Sequence, residues 1–351
     1  MHICIFSRTF YPAVGGLERI AYILAYQAAL AGQKVMVVTD TPGISDVNDQ
    51  QFPFEIIRTS NFQDRVWAFR RADFVLFMNV SLHGMLAAIA AGIPVVFSHH
   101  GIYRGHGLVG QSLELLKRQL TRFYPNISVS QFVARNIPAT STVIPNAYDN
   151  ALFKPPEQPV RTRDFVFCGR LVSDKGGDLC VRAFSRALKS WPDATLTVVG
   201  DGPERHALLA LAQSFGISKQ VRFTGALNGR DLVTELQQHA CMVVPSLWEE
   251  PFGIVALEGI ACCDTLIVTR RGGLPEAVGE CGLVVEPTDG EMAEAMISVA
   301  QARRVGETLP GQPSDAMRMS HLALHAPKDV TQRYLDTIGQ AISHRPIWGR
   351  M

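Results

Sequence analysis

The sequence lacks an excess of charge of either sign. Its 351 residues include 33 lysines and arginines against 32 aspartates and glutamates, which gives a net charge of +1. A dedicated nucleic-acid-binding protein usually carries a basic excess, and none is present here. We therefore expect no nucleic-acid partner. A local basic patch for a diphosphate or an anionic membrane remains compatible with this balance.

Long apolar runs are missing too. No stretch of about 18 apolar residues occurs, so no membrane-spanning helix is expected. The apolar part of the first residues, MHICIFSRTFYP, is too short and too interrupted for a secretory signal. These features predict a cytoplasmic protein and leave open a peripheral contact with the inner face of the plasma membrane.

Metal-ligand and disulfide patterns are also missing. The seven cysteines form no CxxC pair and lie mostly in apolar runs, which predicts buried free thiols in a reducing compartment. The sequence contains no GxxxxGK[ST], HExxH or Asp-x-Asp string. Many metal-dependent sugar transferases hold a divalent cation with an Asp-x-Asp pair. We therefore expect no metal and no cofactor.

Two successive blocks of the chain alternate short apolar runs with helical patterns. This alternation predicts a parallel, doubly wound sheet in each block. A proline-rich stretch at 155–159 separates them. We predict a first Rossmann-like domain over 1–158, a second over 159–326, and a segment 327–351 whose helix crosses back to the first domain. The predicted strands are 3–6, 34–39, 74–78, 95–98, 165–168, 195–200, 221–224, 242–245 and 265–269.

The string WEEPFGIVALE, residues 248–258, carries two carboxylates after a predicted strand. Pro251 and Gly253 suit a tight loop that opens a helix, and the first backbone N–H groups of a helix can hold an anion. Glu250 is then expected at the ligand-binding edge and Glu258 inside the helix, where it can point at a ribose. An amphipathic helix with two solvated glutamates remains the alternative.

Two cations follow another predicted strand, in the string FCGRLVSDKGG at 167–177. Arg170 and Lys175 fall at the carboxyl end of that strand, which is where open α/β sheets bind ligands. Two cations there suit a diphosphate, which an arginine can hold with two hydrogen bonds. A pair of solvated loop charges is the alternative.

Glycines and histidines follow strands of the first block. Gly15 and Gly16 lie between the first strand and the first helix and allow the backbone close to a phosphate or sugar; a plain turn is the alternative. His100 follows the strand at 95–98 and is either a ligand contact or a structural histidine. The GxGxxG string at 105–110 is not directly on its strand, so it does not indicate a dinucleotide fingerprint. It is interpreted as a mobile loop lining a ligand-binding cleft, and an ordinary surface loop is the alternative.

The segment 113–124, LELLKRQLTRFY, is amphipathic and has three cations. Such a helix can rest on an anionic membrane that carries a lipid-linked acceptor. The alternative is an ordinary surface helix with its leucines and phenylalanine packed inward.

The ordered series of these strings resembles glycosyltransferase family 4, whose members have the two-domain GT-B fold. The resemblance covers most of the chain, and its strings occur in the family's order. The matching strings are Gly15-Gly16, His100-Gly101, 143–149 with 153–155, Gly169-Arg170-Leu171 with Lys175-Gly176, 199–203, Pro245-Ser246 with the glutamates of an E-x7-E element at Glu250 and Glu258, and 272–276.

The resemblance implies two parallel-sheet domains facing a central cleft and a retaining transfer of sugar from a UDP- or GDP-sugar to a glycan or lipid-linked acceptor. It points to cell-surface polysaccharide or lipopolysaccharide assembly. In such enzymes the leaving phosphate takes the acceptor's proton, so no enzymic nucleophile is needed. The implied catalytic residues are His100, Glu250, Arg170 and Lys175, and the implied donor-binding residues are Gly15, Gly16, Arg170, Lys175, Phe252, Gly253, Ile254 and Glu258.

The sequence departs from the family pattern at two places. Ala147 stands where the family usually has glycine, and Cys263 and Thr265 replace a typical glycine and proline after the helix of Glu258. We expect the turn after that helix to differ. A nucleotide-sugar epimerase of the same fold, or a non-catalytic partner that binds a nucleotide sugar, remains an alternative to the transferase.

Overall fold

The computed structural model describes residues 1–13, 15–43, 48–105, 107–156 and 161–343. The chain forms two compact units, one made of Met1–Ala147 with the chain from Pro327 onward and the other of Tyr148–Ala326. Each unit is a parallel sheet covered by helices, and all of the strand pairs that the structure describes are parallel. The predicted fold class, α/β with two Rossmann-like domains, is confirmed.

The first unit has a seven-stranded sheet in the order β3-β2-β1-β4-β5-β6-β7. Its strands are β1 (His2–Phe6), β2 (Lys34–Thr39), β3 (Glu55–Arg58), β4 (Phe74–Met78), β5 (Val95–His99), β6 (Asn126–Ser128) and β7 (Thr142–Val143). Its helices, numbered along the whole chain, are α1 (Gly16–Leu30), α2 (Phe62–Arg70), α3 (Leu82–Ala91), α4 (Gly107–Leu120), α5 (Gln131–Arg135) and α13 (Pro327–Ser343).

Aromatic rings fill one side of this sheet. Phe6 and Phe77 have ring centroids 5.1 Å apart, and Phe69 and Phe97 each lie within 6.1 Å of Phe77. All four rings are fully buried. Such rings contribute large buried apolar areas and prefer tilted or edge-on contacts. They fix α2 and α3 against the central strands, and so fix the ends of those strands from which the site residues project.

The second unit has a six-stranded sheet in the order β10-β9-β8-β11-β12-β13. Its strands are β8 (Arg163–Cys168), β9 (Leu196–Val199), β10 (Val221–Gly225), β11 (His239–Val244), β12 (Thr265–Thr269) and β13 (Leu283–Val285). Its helices are α6 (Gly177–Ala187), α7 (Arg205–Ser214), α8 (Gly229–Gln237), α9 (Ile254–Cys262), α10 (Leu274–Val278), α11 (Asp289–Val305) and α12 (Asp315–Ala323).

Small aliphatic residues and thiols make up much of the second core. All seven cysteines of the chain are free, and six are buried; Cys168 alone is half-buried. Burial raises the pKa of Cys180 and of Cys168 to about 12, because the thiolate loses its hydration. The prediction of buried free thiols is confirmed for these six.

The chain passes from the first unit to the second between Ala147 and Tyr148. Tyr148 donates its backbone N–H to the carbonyl of His325 at 3.3 Å, and the carbonyl of Lys154 accepts from Gln237 Nε2 at 2.8 Å, so this segment bonds to the second unit. The proline-rich stretch falls partly on residues 157–160, outside the described residues. Helix α13 packs with α1 in the first unit.

Several features differ from the sequence expectations. The loop predicted at 105–110 is wrong from Gly107 on, because α4 begins there; its His106 lies outside the described residues. Gly105 packs so closely on the first turn of α4 that a Cβ would overlap the backbone of Gly110. Helices α2, α5, α10, α11 and α12 were not predicted. For α11, which covers α6, the reason is an alanine-rich pattern with little helical periodicity. Among the described residues, no helix is both long enough and apolar enough to cross a membrane.

Candidate active site

The second sheet reverses its strand order between β8 and β11. In open α/β sheets the loops at such a switch point diverge, and the crevice outside the carboxyl ends of the strands binds ligands. Arg170 and Lys175 lie in the loop after β8, and Glu250 lies in the loop after β11. The structure therefore brings these three predicted residues to one place in one unit.

Arg170 is presented by backbone that its neighbours hold on both sides. Gly169 donates its N–H to the Val199 carbonyl at 3.0 Å, and Leu171 donates to the Asp201 carbonyl at 2.9 Å. A Cβ on Gly202 would overlap the Leu171 carbonyl, so this approach needs a glycine. The Arg170 side chain is exposed, and its guanidinium has no hydrogen bond or ion pair within the described ranges.

Lys175 and Glu250 form a half-buried ion pair between Nζ and Oε1. The side chains of Lys175 and Glu250 are 28% and 14% exposed. Ser246, which is buried, donates its hydroxyl to the same carboxylate oxygen at 3.0 Å. An ammonium has three donors, so Lys175 can hold Glu250 and a phosphate oxygen at once. Without that cation, the Glu250 carboxylate would repel a diphosphate.

The loops after β8, β11 and β12 interlock through their backbones. The Asp174 carbonyl accepts the N–H groups of Leu247 at 2.9 Å and Trp248 at 3.1 Å. On the other side, the Gly273 N–H donates to the Glu250 carbonyl at 2.7 Å. Gly272 has φ +56°, and a Cβ on it would overlap that carbonyl. The position of Glu250 is thus fixed by backbone contacts as well as by its ion pair.

Helix α9 begins at this edge with free N–H groups. Its N-cap, Gly253, has φ +100°, and no side chain within the described residues caps the helix. Phe252 is buried with its ring 5.5 Å from that of His325, so the backbone of 252–254 is anchored by a core side chain. Uncapped N–H groups and the helix dipole favour an anion here.

Glu258 lies inside α9 and is buried, with 7% of its surface exposed. The pKa of Cys168 at the end of β8 is raised to about 12, mainly by burial and secondly by the negative charge of Glu258. The Glu258 carboxylate therefore lies near the end of β8. A buried carboxylate needs hydrogen-bond partners. Glu258 therefore lies beside the switch point and not on a solvated helix face.

The turn after α9 is held by two arginines. Arg318, which is buried, donates to the carbonyls of Ile260 and Cys263 and to that of Asp264 at 2.9 Å. Arg161 donates to the Cys262 carbonyl at 2.7 Å. These bonds satisfy carbonyls that a glycine-ended helix would satisfy through its own backbone. The departure at Cys263 and Thr265 is thus accommodated within the fold.

In the first unit, Gly15 and Gly16 begin helix α1. Gly15 is its N-cap in an extended conformation with φ −178°, and both glycines are exposed. The Glu18 carboxylate folds back so closely that a Cβ on Gly15 would overlap it. Because this carboxylate already occupies the positive end of the helix, the site suits a neutral sugar better than a phosphate.

His100 follows β5 and is neutral. Its Nε2 lies 2.7 Å from Ser98 Oγ, and its backbone N–H donates to Asn79 Oδ1 at 2.7 Å. Burial, with the neighbouring His99, lowers its pKa to about 3, and its Nδ1 is buried without a hydrogen-bond partner in the described part of the chain. An imidazole with this pKa does not act as an acid at neutral pH.

His99, the other histidine of the pair, is a core residue. Its Nδ1 lies 2.7 Å from Tyr103 Oη and its Nε2 2.9 Å from Asn126 Oδ1. It is fully buried, and burial lowers its pKa to about 4. The alternation of β5 thus sends His99 into the core, while His100 lies past the strand end.

Two residues of this edge were not singled out as site residues by the sequence analysis. Ser246 donates a hydrogen bond to the Glu250 carboxylate. The string Pro245-Ser246, which precedes the two glutamates in the sequence, could have indicated this residue. Arg271 lies beside Gly272 after β12, and its Nε is buried without a hydrogen-bond partner in the described part of the chain. Two adjacent arginines before a glycine pair were the available signal. No group of His, Cys, Asp and Glu residues suited to a metal ion occurs among the described residues.

The family model "Glycosyl transferases group 1" matches residues 149–307, which lie within the second unit. Among curated proteins, the chain is 27% identical over 311 residues to the phosphatidylinositol N-acetylglucosaminyltransferase GPI3 subunit of Saccharomyces cerevisiae, covering 77% of this chain and 68% of the yeast protein. It is also 27% identical over 335 residues to a GDP-mannose-dependent monoacylated alpha-(1-6)-phosphatidylinositol monomannoside mannosyltransferase of Corynebacterium glutamicum, covering 84% of this chain and 87% of that protein.

Solved structures match nearly the whole chain. Anabaena HepE in complex with UDP superposes with a TM-score of 0.81 at 18% identity, covering 97% of this chain and 100% of that one. At this identity the match shows the fold, which is GT-B. The family model and the sequence relatives are all glycosyltransferases, and the model matches the unit that carries Arg170, Lys175 and Glu250.

Proposed function

We propose that this chain is a group 1 glycosyltransferase that moves a sugar from a nucleotide diphosphate donor to a lipid-linked acceptor, with retention of configuration and without a metal. The observation that carries the proposal is the convergence of side chains at the switch point of the second sheet, between β8 and β11. Two cations, a held carboxylate, a buried carboxylate and an uncapped helix lie there at the ends of adjacent strands.

The donor part rests on charge. A departing diphosphate needs fixed positive charge, and preorganised donors supply this without reorganisation during the reaction. Arg170 is exposed with its guanidinium available, Lys175 is held by Glu250, and the N–H groups that open α9 lie beside them. Glu258, which is buried inside α9, is assigned the role of accepting from the ribose hydroxyls. The Anabaena structure, which holds UDP, supports a UDP-sugar, and the Corynebacterium relative supports a GDP-sugar.

The retaining part rests on the state of Glu250. Its carboxylate accepts from Lys175 and Ser246, which makes it a poor nucleophile and a good acceptor for a sugar hydroxyl. The leaving phosphate, held beside the acceptor, then takes the acceptor's proton. His100, being neutral, contributes hydrogen bonding to the sugar and no proton transfer.

The donor proposal is tested with the purified chain and a panel of UDP-, GDP- and ADP-sugars. A donor should raise the melting temperature, because it binds the folded state alone. Transfer to a glycolipid acceptor should continue in EDTA, and NMR of the product should show the donor's anomeric configuration. Loss of transfer in EDTA contradicts the metal-free proposal, and an inverted product contradicts retention. An altered sugar formed without acceptor would identify an epimerase.

The acceptor part rests on helix α4 and the turn after it. Val109, Leu113, Leu116 and Phe123 are 75%, 45%, 49% and 67% exposed, so they do not pack inward as an ordinary surface helix would require. Lys117, Arg118 and Arg122 lie on the same stretch against one carboxylate, Glu114. Large apolar side chains beside cations are typical of helices that lie in an anionic membrane surface.

The named acceptors of the sequence relatives agree with a lipid. The yeast and Corynebacterium proteins are named for phosphatidylinositol glycolipids. A setting in lipopolysaccharide assembly is supported by neighbours that share the fold alone, such as WaaG. We therefore propose the lipid-linked class, on an anionic bilayer, in preference to a soluble glycan.

The membrane contact is tested by sedimentation with phosphatidylglycerol-containing vesicles and with phosphatidylcholine vesicles. The chain should bind the anionic vesicles, and binding should weaken in high salt. Leu113→Gln with Phe123→Gln should abolish it. Val305→Gln, at an exposed apolar residue of α11 in the second unit, is the matched control and should bind normally. Equal sedimentation with both lipids, or a double variant that binds like the wild type, would overturn this part.

A further inference from the structure

Helix α13 brings a hydroxyl group to the carboxyl end of β5 in the first unit, next to His100. Tyr334, which is 3% exposed, places its Oη 2.8 Å from Ser98 Oγ. Ser98 is fully buried near the end of β5 and lies 2.7 Å from His100 Nε2. Three side chains, one of them more than 200 residues away in sequence, thus form a continuous chain of hydrogen bonds.

The number of protons on these three side chains restricts the direction in which the hydrogen bonds are donated. Burial raises the pKa of Tyr334 to about 12, so the phenol keeps its proton at neutral pH. If Tyr334 donates to Ser98, the serine proton is free to go to His100 Nε2, and the imidazole proton is then on Nδ1. In the opposite direction, His100 Nε2–H donates to Ser98 and Ser98 donates to Tyr334, which leaves the buried phenol proton to find another acceptor.

A count of the groups left without a partner favours the first direction. The buried His100 Nδ1 has no hydrogen-bond partner in the described part of the chain. The first direction therefore leaves one donor, Nδ1–H, unpartnered, whereas the second leaves both the phenol proton of Tyr334, whose described partner is Ser98, and the unprotonated Nδ1 unpartnered. A buried polar group that lacks a partner costs about 1–3 kcal/mol, so the additional one is enough to fix one tautomer.

We propose that Tyr334 and Ser98 are positioning residues that hold His100 as the neutral Nδ1–H tautomer, with Nε2 as an acceptor. Tyr334 acts through Ser98, and Ser98 acts directly on the ring. The backbone reinforces this geometry, because Asn79 donates its N–H to the Ser98 carbonyl at 2.8 Å and accepts from the His100 N–H. Asn79 holds φ +66° to do so, a left-handed conformation that few residue types adopt.

The tautomer gives a direct test that needs no substrate. In 15N-histidine-labelled protein, the His100 resonances are identified as those absent from His100→Gln. The wild type should show a protonated Nδ1 and an unprotonated Nε2. In Ser98→Ala, which removes the donor to Nε2, the two nitrogens should move toward the averaged shifts of a mixture. A wild-type spectrum with a protonated Nε2 would overturn the proposed direction.

The positioning role is tested on the reaction and in this respect rests on the proposed function. Ser98→Ala should lower kcat about tenfold with the donor KM unchanged, and Tyr334→Phe should lower kcat less, since Ser98 can still donate. Tyr26→Phe is the matched control, since it removes a phenol hydroxyl of α1 elsewhere in the same unit, and it should be unaffected. Unchanged kcat in both test variants would overturn the positioning role. If the wild type transfers no sugar, the proposed function fails and the tautomer measurement still decides this inference.

Discussion

The switch point of the second sheet and the end of β5 in the first sheet are built from opposite kinds of side chain. The edge at the switch point is charged: Arg170, Lys175, Glu250 and Glu258 project from it. The edge around His100 is neutral and is built from hydroxyl, amide and imidazole groups, whereas the charges of the first sheet's edge, such as the Arg8–Asp40 ion pair, follow β1 and β2. The same architecture thus presents charge at one strand end and neutral hydrogen-bonding groups at the other.

Helix capping differs between these two places. Side chains cap α2, α3 and α5 of the first unit, through Asn61, Ser81 and Ser130. Helix α1 has no side-chain cap within the described residues, but the Glu18 carboxylate folds back onto its first turn. The helices α6 and α9, which open at the charged edge, begin at left-handed glycines and have no side-chain cap within the described residues. A capped helix has used its N–H groups internally, whereas an uncapped one can give them to a ligand. The comparison indicates that the starts of α6 and α9 are prepared for an anion.

Removing charge from the charged edge should have the largest effect. We expect Arg170→Ala or Lys175→Ala to lower kcat/KM for the donor about 100-fold or more, because each removes a charge-assisted donor to the diphosphate. Steady-state kinetics with varied donor measures this. Lys219→Ala, at an exposed lysine of the same unit, should leave the kinetics unchanged. Normal donor kinetics in both test variants would contradict the assignment of the diphosphate to this edge.

Acid should destabilise both units through buried neutral histidines. Burial lowers the pKa of His99 in the first unit and of His239 in the second to about 4. The unfolded chain therefore takes up protons first as the pH falls through about 6.5, and stability present above that pH is lost between about 6.5 and 4.

For each of these histidines we expect a loss of about 2 kcal/mol in the free energy of unfolding between pH 7 and pH 5. Urea unfolding at the two pH values measures this loss. His239→Gln should show a smaller pH-dependent loss than the wild type by this amount, whatever its stability at pH 7. His2→Gln, at a histidine of the first strand that is not buried, is the control. An equal loss in the wild type and in His239→Gln would contradict the assignment.

The backbone contact under Glu250 should have a smaller effect. We expect Gly272→Ala to cost about 1–2 kcal/mol, because Gly272 has φ +56° and its Cβ would overlap the Glu250 carbonyl. Shifting that carbonyl should also lower kcat, and thermal melts together with kinetics measure both effects. Gly290→Ala, where a Cβ meets nothing within 4 Å, should be as stable as the wild type or more so. A variant of Gly272 with unchanged kcat would show that Glu250 does not depend on this contact.

The neutral edge should show the smallest effect of all. Since the pKa of His100 is about 3, we expect no inflection from it in the dependence of kcat on pH between about 5 and 8. The profile of wild type is compared with that of His100→Gln, which should be lower but parallel. An acidic limb near pH 6.5 that disappears in the variant would show that His100 titrates in the working range and that the first edge is not neutral.

The sequence predicted the fold because each strand of a parallel sheet is buried on both faces and therefore forms a continuous apolar run. The runs at 34–39, 74–78 and 265–269 coincide with β2, β4 and β12. The shorter strands were not predicted, nor were the helices α2, α5, α10, α11 and α12. Strand β7 has two residues, and α11 shows little apolar periodicity, so neither produces a pattern that stands out locally.

The residues of the candidate site could be predicted one by one, but the hydrogen bonds and ion pairs between them could not. Loops after neighbouring parallel strands meet at one edge, which sufficed to place Arg170 near Glu250. The ion pair of Lys175 with Glu250 and the replacement of a glycine turn by Arg318 depend on side chains that meet across long stretches of sequence. No local pattern encodes such contacts.

Helix α13 has a consequence for how the protein is made. Residues 327–343 complete the first unit, yet a ribosome synthesises them only after all of the second unit. During synthesis, the first sheet therefore emerges with α1 uncovered, and Ser98 lacks its tyrosine until the end. Domains usually fold as they leave the ribosome, N-terminal domain first. In this chain the unit that begins first is the one that is finished last.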